Sequence, residues 1–100
     1  MRVPSGARLL YHGTSAGAAE EIRAGGLWSG YPNEPEHAVL EPTLRRARRW
    51  GEAVVRFRVP GEAARRYLAG PFEDGTYGLR LGWLPEEFMD EVILAGRGID

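Results

Sequence analysis

The residues best suited to chemistry stand together in one short run, Tyr11-His12-Gly13-Thr14-Ser15. A neutral imidazole offers one donor and one acceptor, and a glycine beside it removes the side chain that would keep a ligand from the backbone. Thr14 and Ser15 precede a helix start, where backbone N–H groups favour polar or anionic groups. Glu73 and Asp74, just before Gly75, are carboxylates able to stabilise a developing cation, and equally a pair of the kind found in solvated turns. Glu41, ahead of Pro42, and Glu91 are weaker candidates of the same type. Arg45 and Arg46 can clamp a pyrophosphate in bidentate fashion, although with Arg48 and Arg49 they also read as the solvated side of a helix. Tyr31, between Gly30 and Pro32, offers a π-face from a loop; Trp28 offers another, but reads first as a core anchor.

These groups need elements to hold them. Arg8 to His12 reads as a short strand ending at Gly13, with Leu10 and His12 on one face. Ser15 caps the helix that follows, with Ala18, Ala19 and Ile22 apolar and Gly25-Gly26 as its stop. Leu27 and Trp28 are then expected to re-enter the core. Ser29 to His37 has turn formers, two prolines and no period, which makes it a surface loop. Ala38-Val39-Leu40 is a short apolar stretch. Pro42 and Thr43 open a second helix, with Leu44, Ala47 and Trp50 pointing inward, closed by Gly51.

The clearest alternation runs from Ala53 to Val59, with Val55, Phe57 and Val59 on one side and Arg56 and Arg58 on the other. A short helix is expected over Glu62 to Leu68, a loop or tight hairpin into a strand with Tyr77, Leu79 and Leu81 alternating, a helical turn near Leu84 to Met89, and a final strand from Glu91 to Ala95. Short strands separated by short helices, without a strict βαβ rhythm, indicate an α+β fold. The whole chain, 1–100, reads as one domain with one core.

Composition narrows the chemistry. Basic residues number 13, all of them Arg, against 14 Asp plus Glu, for a net charge of -1. No whole-protein field draws in a polyanion, so nucleic acid is not a favoured partner, though an RNA phosphate stays open. Without Lys or Cys, Schiff-base and thiol chemistry are excluded. His12 and His37 have no metal-ligand spacing, so no metal is expected. The absence of a signal peptide and of a long apolar run leads to the expectation of a cytoplasmic protein without membrane partners.

The order Leu10-Tyr11-His12-Gly13-Thr14-Ser15, short helix, Gly26-Leu27, loop, then Pro42 to Gly51 before a strand resembles the ADP-ribosyltransferase-like fold family, in its histidine-containing branch with diphtheria-toxin-like and RNA-phosphotransferase-like proteins. The similarity in order spans Leu9 to Ala95, and the first block is its specific part. The resemblance implies a small, split, mixed β-sheet with short helices, and NAD as substrate. By it, His12 binds a ribose hydroxyl and Gly13 admits the nicotinamide amide. The family's stacking aromatic falls at Val39 here, so Tyr31 is the expected substitute. An acid near the last strands supports the oxocarbenium-like cation, which makes His12, Glu73 and Asp74 the expected catalytic residues. His12, Gly13, Thr14, Tyr31 and Arg45 are the expected NAD-binding residues. Transfer of ADP-ribose to a macromolecular target, with a protein target favoured, is the implied activity. The rival is a non-catalytic version of the same fold acting as a protein-binding module, such as a phage-encoded inhibitor or a toxin-system component.

Overall fold

The structure, a computed structural model, describes residues 7–29 and 38–94. Strand β1 (Arg8–Thr14) buries Leu10, His12 and Thr14 on one face, the alternation of a half-buried strand. Ser15 Oγ then accepts the Ala18 N–H and starts helix α1 (Ala16–Gly25), whose Ala19 and Ile22 are buried. The helix stops at Gly26, with φ of 90°. Its last carbonyl, on Gly25, accepts the indole N–H groups of both Trp28 and Trp83. A Cβ on Gly26 would lie 2.5 Å from the Trp83 indole nitrogen, so the two-tryptophan cap needs this glycine.

The main sheet is antiparallel with the order β1, β3 (Ala53–Val59), β7 (Met89–Leu94). His12 stands opposite Val55 and Leu10 opposite Phe57, so the chain's most regular alternation packs directly beside the first strand. The outer face of β3 carries Arg56, whose guanidinium bonds Asp90 and Glu91 at 2.8 Å each. Burial opposes the Arg56 charge, but the two carboxylates outweigh it and hold its pKa above the usual range.

On the other side of β1 the pairing narrows to single-residue bridges, Tyr11 with Glu41 and Leu40 with Tyr77. Beyond them β4 (Leu68–Ala69) pairs with β5 (Gly78–Leu79), while β2 (Leu27–Trp28) pairs separately with β6 (Trp83–Leu84). Every pairing among the described residues is antiparallel. Helix α2 (Leu44–Ala47) is capped by Thr43 and passes into a 3-10 turn, Arg48–Trp50, while α3 (Gly61–Tyr67) follows β3 and a second 3-10 turn, Glu86–Phe88, leads into β7. The result is the α+β class expected from the element pattern.

Three inward assignments are corrected. Trp50 is 62% exposed, because the 3-10 turn advances more per residue than an α-helix and swings residue 50 off the inner side. Trp28 is 43% exposed: in a two-residue strand Leu27 takes the inner face and Trp28 the outer, where it stacks on Trp83 at 5.5 Å. Leu81 lies exposed in the turn that ends at Gly82, outside the short strand Gly78–Leu79.

Phe57 is fully buried at the centre of the core. Phe57→Ala should therefore cost about 3–5 kcal/mol in a denaturant titration; a loss under about 1 kcal/mol would show that the core does not rest on this ring.

Candidate functional site

The site is built on the seam where the sheet narrows. Four backbone hydrogen bonds hold it: Tyr11 and Glu41 exchange one pair, at 2.9 and 2.6 Å, and Leu40 and Tyr77 another, both at 2.9 Å. His12, 4% exposed, sits 2.9 Å from the Val39 carbonyl through Nδ1. A carbonyl only accepts, so Nδ1 carries the proton and donates. The first-motif histidine is thereby tied to Val39, which directly precedes the bridged Leu40 and is the position at which the resemblance calls for an aromatic ring.

Val39 lines a groove of about 420 Å³ with Ser29, Phe72, Thr76 and Tyr77. Phe72, 54% exposed, brings an aromatic ring to this groove, and its ring comes within ordinary contact of the space beside the Gly78 backbone. Phe72 and Thr76 form the base of a turn: Phe72 N–H donates to the Thr76 carbonyl, and Gly75 N–H to the Phe72 carbonyl. Glu73 and Asp74 are the exposed tip of that turn. Asp74 Oδ1 accepts from both the Thr76 hydroxyl, at 2.7 Å, and the Thr76 N–H, at 3.0 Å. These bonds, helped by the charge of Arg46, hold the Asp74 carboxyl below its usual pKa.

Neither the family-model comparison nor the comparisons with curated proteins and solved structures finds a match for this chain.

The other expected residues are dispersed. None of the described cavities is lined by His12 or Gly13. A Cβ on Gly13 would fall 1.9 Å from the Ala47 carbonyl oxygen, so this glycine makes room for helix α2. Thr14 is buried at the end of β1, and Arg45 is exposed on α2. Tyr31 and His37 lie outside the described residues. Among the described residues no group of three or more acidic or histidine side chains is placed to hold a metal ion, and no helix is long and apolar enough to cross a membrane.

Glu41, a minor candidate in the sequence, is the buried acid of the seam at 2% exposure. Its Oε2 accepts the Trp50 indole N–H at 2.8 Å. Arg46 Nε lies 3.1 Å from Oε1, off the line that a hydrogen bond needs, so that contact is coulombic. Glu41 is opposite Tyr11, which places its side chain on the sheet face away from His12. It organises α2 and stands apart from the groove. Phe72 and Thr76 were missed in the sequence; the one available signal was an isolated aromatic between Pro71 and two acids.

Trp50→Phe keeps the ring and deletes the donor to a buried carboxylate. It should destabilise the fold by about 1–3 kcal/mol in denaturant unfolding, more than expected for so exposed a side chain; an unchanged midpoint would remove this bond from the fold's support.

Asp74 supplies a pH test. Its pKa is lower folded than unfolded, so its contribution is present above the unfolded value, about 3.9, and is lost as pH falls through the folded value. Asp74→Asn keeps the turn's acceptor and removes this dependence, so the variant should lose less stability than the parent between about pH 5 and the acid limit. Parallel curves for the two proteins would contradict the assignment.

Proposed function

We propose that the chain is an ADP-ribosyltransferase-like protein that takes the nicotinamide end of NAD into the groove between Val39 and Phe72 and transfers ADP-ribose to a macromolecular target, with a protein favoured. The observation that supports this reading is the groove's position. One wall, Val39, is the residue to which His12 is fastened, and the opposite side is the turn that carries Glu73 and Asp74. The residue that holds the first-motif histidine and the turn that carries the late acids thus line one concavity, while His12, Glu73 and Asp74 themselves stand outside its lining. Its volume, about 420 Å³, suits a ring and a ribose better than a whole dinucleotide.

Each residue's role follows from its chemistry. Phe72 provides the π-face that Val39 lacks, and takes the place first given to Tyr31. Thr76 and Ser29 bring hydroxyls to the lining. Asp74 is held ionised, which suits it to stabilise positive charge and not to donate a proton. In the transfer the bond between the ribose carbon and the nicotinamide nitrogen breaks, nicotinamide leaves with the electron pair, and a nucleophile of the target forms the new bond to that carbon. The Asp74 carboxylate, with Oδ1 committed to Thr76, offers Oδ2 to the intervening cation. Arg45 and Glu73, both exposed, are available to the remainder of NAD or to the target.

The binding-module reading has its own support: Glu73 stands clear of the seam, Asp74 is engaged within its turn, and His12 is bonded to a backbone carbonyl. Calorimetry and label transfer separate the two. NAD should bind with a Kd on the order of micromolar. Phe72→Ala, at an exposed position, should weaken it by about 0.5–1.5 kcal/mol while the melt is unchanged. Asp74→Asn should lower transfer of labelled ADP-ribose to lysate proteins by about 10²-fold or more. Absence of binding heat would overturn the NAD reading; binding without label transfer in the parent protein would leave a non-catalytic module.

A further inference from the structure

At the opposite end of β1 from the 3-10 turn, a second groove of about 210 Å³ lies between the start of the strand, helix α3 and the segment after β5. Arg8, Arg65 and Arg80 all line it, and no acidic residue does. Tyr77 and Leu68, both buried, form part of its wall. The Arg8 guanidinium is held over the Tyr77 ring, 5.7 Å from its centre, a cation–π contact that fixes its direction. Arg80 is fixed at the backbone, its N–H donating to the Tyr67 carbonyl at 2.8 Å.

This convergence is unusual within the chain. Arg23, Arg46 and Arg56 each lie beside a carboxylate; among the described residues Arg8, Arg65 and Arg80 pair with no acid, and what distinguishes them from the other arginines outside ion pairs is that the three line one groove. Three like charges around one concavity repel one another, and a concavity lined by one sign of charge concentrates counter-ions. Guanidinium forks match the oxygens of a phosphate in bidentate fashion. The groove is smaller than a typical small-molecule pocket of roughly 300 Å³ or more, so it suits a single phosphate group.

From these observations we infer that the Arg8, Arg65 and Arg80 groove is a phosphate-binding site, taking inorganic phosphate or the phosphate of a monoester. Arg8 and His12 are four residue steps apart on β1, about 13 Å at strand rise; the two grooves have Tyr77 in common, and the three arginines line only this one.

The test is calorimetric titration of the full chain with inorganic phosphate and with phosphoserine. Saturable binding to one site is expected, falling with added salt. Arg65→Ala and Arg80→Ala, at exposed positions, should each weaken it about tenfold or more. Arg49→Ala, an equal change of charge on the 3-10 turn at the far end of β1, should leave it nearly unchanged. Tighter phosphoserine binding would support a phosphorylated partner as the source, and tighter inorganic phosphate a free ion. No saturable binding, or equal weakening by Arg49→Ala, would overturn the inference. These titrations contain no NAD, so they fail or succeed independently of the proposed transferase activity.

Discussion

The fold turns on one short segment, Val39 to Glu41, wedged between β1 and Tyr77. Its Val39 carbonyl accepts from His12, its Leu40 is bridged to Tyr77, and its Glu41 is bridged to Tyr11. The Glu41 side chain then gathers Trp50 and Arg46 on the far face. Without this wedge, β1 would lose its connection to the β4–β5 hairpin, and α2 would lose its anchor to the sheet. A few polar bonds do here what a longer strand ladder would otherwise do.

The same wedge separates two kinds of chemistry. On the core face, His12 is held as a proton donor to a backbone carbonyl, and the groove at Val39 lies beside it. On the opposite face, a buried carboxylate accepts one hydrogen bond from an indole and faces a guanidinium. Strand alternation alone enforces this division, because residues 11 and 12 must point to opposite sides. An acid in the Glu41 position therefore supports the architecture and does not share the histidine's surroundings.

Much of this was legible in the sequence, and for physical reasons. Leu10 and His12 share a face, Ser15 and Thr43 cap helices, and Val55, Phe57 and Val59 are buried, because period and capping are local properties. Trp50 was misplaced because a four-residue helix changes to 3-10 winding before reaching it, a switch no hydrophobic pattern marks. Glu41 looked like the start of a turn because its importance comes from residues 30 positions earlier and up to nine later in the chain. Phe72 and the arginine groove likewise depend on segments far apart in sequence. Tyr31 falls outside the described residues, and in the proposed site Phe72 takes the stacking role that the resemblance gave it.

The Arg56 ion pairs have a further meaning at the border of the sheet. Strand β7 pairs only with β3 among the described residues, and no described strand is hydrogen-bonded along its second side. That side is guarded. Asp90 and Glu91 stand on β7, and the register slips at Arg56 and Phe57. A foreign strand docking there would meet an uneven ladder beside acidic side chains already committed to a guanidinium. Misassembly through β7 is thus opposed by the same charges that fasten it to its neighbour.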